Sequence, residues 1–198
     1  MSLLDLAKKR RSIYHLGKNI TQSNDEVAQL VKNIVKETPS SFNSQSSRVV
    51  VLLDEEHDAL WEITRETLRI LVGDGDFTAT DKKVDGFKAA KGTILFYEDK
   101  EPIENLQKQF PLYADNFPIW SEHSTGITQY AVWLALAEVN IGASLQHYNP
   151  VIDADVAQRW NIPEGWVLRA QMPFGSIESP AGDKTYMDDD ARFRVFGA

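Results

Sequence analysis

The sequence predicts an α+β fold, a sandwich in which helices flank a central mixed sheet. Three apolar runs, residues 48–53, 92–97 and 166–175, have the length and residue content of strands. Longer stretches with helical spacing separate them unevenly, so helix exceeds strand. No GxGxxG motif follows the first strand and no GxxxxGK[ST] motif occurs, which removes the main support for dinucleotide-binding and P-loop folds. The 198 residues suit one domain, residues 1–198.

Composition and charge exclude several classes of function. The formal net charge of −8 argues against a protein that binds nucleic acid in bulk or an anionic membrane surface. The sequence has no cysteine, so disulfides, thiolate nucleophiles and cysteine metal sites are excluded. It has neither a signal-peptide pattern nor an apolar run of about 18 residues, so we expect a cytoplasmic protein without membrane spans.

The first half of the chain predicts three helices and one strand. The helices are expected over residues 3–9, 24–37 and 54–72. Ser23 and Glu26 form a capping-box pattern at the start of the second helix, and Pro39 stops that helix near Thr38. The run 48–53 is nearly all apolar, so we expect a strand that is buried on both faces.

The second half predicts further helices and extended segments. Helices are expected over part of 104–110 and over 121–139 and 153–160, and extended segments over 92–97, 143–148 and 166–175. Residues 77–91 are a short helix or a loop, and Gly142 is expected to end the longest helix. That helix is apolar almost all round, so its own domain or a partner subunit must bury it. Alternating Phe193 and Val195 predict an extended, docked tail.

Four aromatic residues precede the longest predicted helix: Phe110, Tyr113, Phe117 and Trp120. Such a density of rings suits a hydrophobic core, and it equally suits the wall of a pocket for a flat substrate. Both interpretations stay open at the level of sequence.

Two polar segments are candidates for ligand binding. Arg10, Arg11 and Ser12 follow the first helix, and two guanidinium groups with a hydroxyl suit a phosphate, although a solvated basic helix end is the alternative. Residues 38–48 carry hydroxyls, amides and a guanidinium in nearly unbroken succession. These groups could bind a planar ligand rich in hydrogen-bonding atoms, or they could form an ordinary Ser/Asn-rich turn.

Common catalytic patterns are absent from the sequence. The four histidines show neither HExxH nor HxH spacing, so a zinc site has no support. Gly73 to Asp76 faintly resembles a calcium loop but lacks the later glutamate. A GxSxG motif is missing, which argues against a serine hydrolase. The difficult chemistry would therefore belong to a cofactor.

Three segments together resemble the FMN-dependent nitroreductase family. They are Arg10 to Tyr14, Pro39 to Gln45, and Gln146 to Tyr148, and the set is most similar to the subgroup named after a yeast fatty-acid repression protein. The resemblance covers essentially the whole chain and implies the nitroreductase fold. The segment around Phe87 and Lys88 departs from the bacterial pattern of an amide and a lysine, so the contact to the flavin pyrimidine ring stays unassigned.

The resemblance implies a set of FMN contacts. Arg10, Arg11 and Ser12 would bind the phosphate and ribityl chain, and Lys184 with Arg192 or Arg194 would supply a late cation to the phosphate. The other expected contacts lie along the ribityl and isoalloxazine groups: Ser40, Ser41, Asn43 and Gln45. Gln146, His147 and Tyr148 would cover one flavin face and offer a backbone donor near N5.

The resemblance also implies an activity and an assembly. It predicts a homodimer with FMN at the subunit interface, and a ping-pong reaction in which NADH or NADPH donates hydride and a nitroaromatic or quinone acceptor takes the electrons. No catalytic side chain is expected. The alternative, motivated by the regulatory name of the subgroup, is a flavin-binding regulatory or sequestering protein with little turnover.

Overall fold

A five-stranded sheet with helices on both faces forms the centre of the molecule. The computed structural model describes residues 2–197. The strands are β1 Leu16–Gly17, β2 Ser47–Leu53, β3 Gly92–Asp99, β4 Gly142–Ala143 and β5 Trp166–Ile177. The helices are α1 Leu3–Lys9, α2 Asn24–Lys36, α3 Asp54–Val72, α4 Thr78–Lys88, α5 Lys100–Gln109, α6 Phe117–Glu138, α7 Asp153–Trp160 and α8 Asp189–Arg192. Two 3-10 turns, Ser41–Asn43 and Pro111–Tyr113, complete the set.

The sheet is antiparallel rather than mixed, which corrects the sequence-based prediction. The strand order is β1-β5-β3-β2, with β4 also paired to β5, and all pairs between these strands are antiparallel. The one parallel bridge among residues 2–197 joins Ser12 to Ala143. The reason lies in the helical hairpin of α3 and α4, which returns the chain to the sheet end that it left. Gly92 consequently pairs with Leu53, and β3 runs back alongside β2.

Two hydrophobic cores lie on opposite faces of β3. Ile94 and Phe96 pack with α2 and α6, whereas Leu95 and Tyr97 pack with α3 and α4. Successive side chains of a strand point to opposite faces, so β3 is buried on both. The same expectation for β2 is confirmed only in part. Val49 and Val51 pack against the first core and Val50 and Leu52 against the second, so both faces are covered. Because β2 is the edge of the described sheet, Leu52 alone is fully buried and the others stay partly exposed.

Several boundaries differ from the predictions in informative ways. Both Ser23 and Glu26 make the reciprocal capping bonds expected of them. The region 78–88 is a helix, and both α5 and α6 begin four residues earlier than expected. Asn140, with a φ of 62°, rather than Gly142, takes the left-handed conformation after α6. Among the helices of residues 2–197, none has the length and apolarity that crossing a bilayer requires.

The C-terminal tail does not dock on its own chain as the alternating pattern predicted. Phe193, Val195 and Phe196 are 55%, 75% and 91% exposed. Apart from α8, residues 178–197 contain no helix or strand. The apolar tail residues therefore remain available to another surface.

Candidate functional site

A basic cavity of about 490 Å³ lies between the N-terminal motif and the start of the tail. Its walls are residues 10–15 and 179–184, which brings Lys184 beside Arg10 and Arg11. Hydrogen bonds hold the two segments in place: Ile13 N–H donates to Ala143 O at 2.9 Å, and Arg11 Nη2 donates to Gly182 O at 2.8 Å. The predicted phosphate-binding residues and the predicted late cation thus line one cavity, although more than 170 residues separate them in the chain.

Arg10 is held by aromatic stacking on α6. Its guanidinium carbon lies 4.5 Å from the ring centre of Trp133 and 5.9 Å from that of Tyr130. Arg10 Nε and Trp133 Nε1 are both buried without a hydrogen-bond partner in the described chain. Buried donors normally find acceptors, so two orphaned donors in one stacked pair fit a ligand rich in acceptor oxygens, such as a phosphate.

The loop after α2 has an unusual backbone. Phe42, Asn43 and Gln45 have φ values of 54°, 51° and 47°. These values lie in the left-handed region, which residues other than glycine rarely adopt. Such conformations cost on the order of 1–3 kcal/mol each and cluster at functional sites. Internal hydrogen bonds stabilise the loop. Ser40 O accepts from Asn43 N–H at 3.0 Å, and Ser40 Oγ accepts from Gln45 N–H at 2.9 Å. Ser41 O accepts from Ser44 N–H at 3.0 Å.

A second cavity of about 210 Å³ adjoins this loop. Its lining residues are Val35, Lys36, Thr38, Pro39, Ser40, Gln45, Ser47, Arg48 and Thr128. Arg48 donates from Nη1 to Gln45 O and from Nη2 to Asp99 Oδ2 at 2.8 Å, so it ties the strained loop to the end of β3. The two cavities share no lining residue within the chain.

The aromatic residues whose role was open surround Phe42. The Phe42 ring centre lies 4.9 Å from that of Phe110 and 5.2 Å from that of Phe117, and its ring stacks on Trp120 at 6.3 Å. Phe117 is buried, whereas Phe110 and Tyr113 are 38% and 46% exposed. The group is therefore core at one end and an exposed aromatic surface beside the loop at the other.

The segment Gln146 to Tyr148 runs alongside β5. Gln146 and Gln171 exchange both backbone hydrogen bonds, and Tyr148 N–H donates to Gln171 Oε1 at 2.7 Å. Between them, His147 has an exposed side chain, and the hydrogen bonds of residues 2–197 leave its backbone N–H free. Burial raises the pKa of the Tyr148 phenol. This geometry leaves His147 N–H as a donor available to a ligand.

The remaining predicted residues lie at different distances from the cavities. Ser41 and Asn43 form the 3-10 turn of the loop without lining the second cavity. Arg192 lies over Phe193 at 5.5 Å, and Arg194 donates to Asp190 O, so the chain itself brings neither arginine to the basic cavity. Their role in binding stays a prediction.

The sequence interpretation missed residues that support the site from a distance. Gln171 is fully buried in β5 and fixes both neighbours of His147. A lone amide within an otherwise largely apolar strand was the available signal. Trp133 lies within the apolar helix predicted over 121–139, and nothing in the sequence indicates that it stacks on Arg10.

Comparisons with known proteins agree on one family. The family model described as the nitroreductase family matches residues 7–176. The nitroreductase FRM2 of Saccharomyces cerevisiae is 32% identical over 190 residues, which cover 94% of this chain and 93% of that protein. The nitroreductase CinD of Lactococcus lactis, solved with nicotinic acid, is 51% identical and superposes with a TM-score of 0.93. The match covers 98% of this chain and 100% of the CinD chain.

Further structures add ligands of similar proteins. CinD has also been solved with chloramphenicol and with 4-nitrophenol. A Desulfitobacterium hafniense nitroreductase with bound FMN is 18% identical, with a TM-score of 0.69 over 98% of this chain and 97% of that chain, and so shares the fold.

Proposed function

Because the chain belongs to the nitroreductase family, we propose that it is an FMN-dependent oxidoreductase that takes electrons from NADH or NADPH and reduces nitroaromatic or quinone acceptors. The observation that carries this proposal is the basic cavity, in which Lys184 lies beside Arg10, Arg11 and Ser12. The FMN-bound relative with the same fold supports the choice of cofactor.

The residues of the basic cavity fit the phosphate of FMN. Arg10, Arg11 and Lys184 supply positive charge, and Ser12 supplies a hydroxyl. Arg10 Nε is already buried without an acceptor, so the free-energy cost of removing this donor from water is already part of folding. A phosphate oxygen would supply the missing acceptor. Arg192 or Arg194 would join the site when the exposed tail docks.

The strained loop and the His147 segment would bind the rest of the cofactor. Ser40, Ser41, Asn43 and Gln45 would lie along the ribityl chain and the edge of the isoalloxazine ring, with Gln146, His147 and Tyr148 against one face. Bound FMN would supply the redox chemistry, accepting two electrons from the nicotinamide and passing them to the acceptor in a ping-pong cycle. The residues of the chain position and desolvate it, and the free His147 N–H offers a hydrogen bond at the ring.

The acceptor class is proposed from CinD. That protein binds 4-nitrophenol, a nitroaromatic, and is 50% identical to this chain in the same structure. The exposed rings of Phe110 and Tyr113 beside the loop suit a flat aromatic acceptor, because aromatic rings stack in offset or edge arrangements. Quinones share that flat shape.

A homodimer would complete the site. Helix α6 buries one face, while Ile119, Ile127 and Tyr130 remain 55%, 44% and 45% exposed along the opposite stripe. An apolar stripe of this kind is best covered by a second copy. The two cavities share no lining residue, so we propose that each FMN site combines residues from both chains.

The test of the cofactor is the visible spectrum of the purified protein. We expect a yellow protein whose flavin absorbance is lost when NADH or NADPH is added without oxygen. Fast turnover with 4-nitrophenol or a quinone supports the enzyme, whereas tight FMN binding with slow reduction by both nicotinamides supports the regulatory alternative. A colourless protein that takes up no FMN contradicts both.

The test of the dimer uses Ile127→Asp. A charge in the exposed α6 stripe should lower dimer content in light scattering and FMN occupancy together. The control is Ile70→Asp, because Ile70 is 79% exposed on α3 and should change neither property. Trp133 is unsuitable, since it packs on the core and on Arg10. A monomeric Ile127→Asp variant that holds FMN stoichiometrically would refute the shared site.

A further inference from the structure

Asp99, the last residue of β3, has a buried carboxylate with two different partners. Only 7% of this residue is exposed. Buried carboxylates are rare unless hydrogen bonds or opposite charges compensate for their lost hydration. Asp99 Oδ2 accepts from Arg48 Nη2 at 2.8 Å, and Oδ1 accepts from Glu101 N–H at 3.1 Å. The carboxylate therefore joins two parts of the chain, and each of its oxygens binds one of them.

Arg48 extends the contact from Asp99 to the strained loop. Its Nη1 donates to the carbonyl of Gln45, whose N–H is held by Ser40 Oγ. The two peptide groups around this left-handed residue are thus each held by one side chain. The guanidinium carbon of Arg48 also lies 5.7 Å from the ring centre of Trp166 on β5. Arginine side chains are long, so the carboxylate that fixes this guanidinium also fixes where it holds Gln45.

The other oxygen of Asp99 caps helix α5. Asp99 is the N-cap residue, and its side chain accepts from the N–H of Glu101 in the first turn. The helix ends at Phe110, whose ring centre lies 4.9 Å from that of Phe42 in the loop. Both ends of α5 are therefore connected to the loop, one through the Asp99 carboxylate and the other through aromatic packing.

We propose that Asp99 is a positioning residue for the FMN site. Its carboxylate fixes the guanidinium of Arg48, which holds the carbonyl of Gln45, one of the proposed contacts to the cofactor. This inference rests on the proposed function. Asp99 lines neither the basic cavity nor the cavity beside the loop, so it acts through Arg48 and does not touch the cofactor.

The first measurement follows the loop in Asp99→Ser. Serine caps a helix about as well as aspartate, but it has no charge to pair with Arg48, so the variant separates the two roles of the carboxylate. Amide hydrogen exchange of Gln45 should quicken about fivefold, because the loop opens more easily, while the amides of α5 keep their rates. The control is Glu122→Gln, which breaks the ion pair of α6 with Arg169 on β5 and should leave Gln45 unchanged.

The second measurement asks whether Asp99 acts through Arg48. FMN affinity is titrated for Asp99→Ser, for Arg48→Gln and for the variant that carries both changes. Asp99→Ser alone should weaken FMN binding about fivefold, and it should add almost nothing to Arg48→Gln, because the contact to the loop is then already lost. A general structural role of Asp99 would instead make the two losses multiply.

Either of two results would overturn the proposal. One is unchanged exchange of the Gln45 amide in folded Asp99→Ser, and the other is a pair of losses that multiply in the double variant. If the wild type binds no FMN, the proposed function fails. The same set of variants, measured by Gln45 exchange, then still decides whether Asp99 positions the loop through Arg48.

Discussion

Arg10→Ala tests the assignment of the phosphate to the basic cavity. The guanidinium is the best-placed charge there, with one buried donor already free. A hydrogen bond to a charged group contributes about 1.5–3 kcal/mol. The loss of one such contact should therefore weaken FMN binding about ten- to 150-fold, because each 1.4 kcal/mol changes the affinity about tenfold.

The assay compares FMN with riboflavin, which lacks the phosphate. Fluorescence titration of the flavin-free protein should show that Arg10→Ala weakens FMN binding strongly and riboflavin binding little. The matched control is Arg159→Ala, because Arg159 pairs with Glu56 at 3.0 Å and lines neither of the two cavities. Arg11→Ala should act in the same direction with a smaller change, since Arg11 already donates to Gly182.

Two outcomes would refute the reasoning. Equal losses for FMN and riboflavin would mean that Arg10 acts through its stacking on Trp133, a cation–π contact of about 0.5–2 kcal/mol, and that the phosphate lies elsewhere. Unchanged FMN affinity would remove the basic cavity from the site altogether. Urea unfolding of the variant separates either result from a general loss of stability.

Two further predictions concern the fold. Burial lowers the pKa of His57 to about 4, so between about pH 6.5 and pH 4 only the unfolded chain binds a proton at this residue. The free energy of unfolding should therefore be highest above about pH 6.5 and fall by up to about 3 kcal/mol towards pH 4. Urea unfolding of His57→Gln should show a smaller fall over this range, and an equal fall would contradict the prediction. Gly175→Ala should destabilise the protein by about 1–3 kcal/mol or more, because the new Cβ would overlap Gly17 O. Gly86→Ala should stabilise it by about 0.5–1 kcal/mol, because Gly86 lies within α4 with open space around it. Changes in the midpoint of thermal unfolding that have the same sign for both variants would contradict this prediction.

Local signals were sufficient for much of the fold. The capping box of Ser23 and Glu26 lies within one helical turn, so its residues determine that helix start without help from the rest of the chain. The edge position of β2 depends instead on which strands pair with it, and an apolar run cannot report that. The same limit explains why the antiparallel sheet was predicted as mixed.

The candidate site divides in the same way. Arg10, Arg11 and Ser12 are neighbours in the sequence, so their suitability for a phosphate can be predicted from the sequence alone. The groups that tie the loop to its surroundings are not, because Thr38 meets Thr128 across 90 positions and Arg48 meets Asp99 across 51. Their hydrogen bonds exist only after the sheet and α6 have assembled, so no periodicity or motif announces them.

The position of β5 in the sheet has a consequence for biosynthesis. This strand is nearly the last element made, yet it lies between β1 and β3. During translation β2 and β3 can form a hairpin with their connecting helices, but the second edge of β3 stays unpaired until Phe174 has been synthesised. An open, apolar strand edge on a nascent chain is a site for chaperone binding or aggregation. Truncations before β5 should therefore accumulate as chaperone-bound or insoluble protein, and not as smaller folded domains.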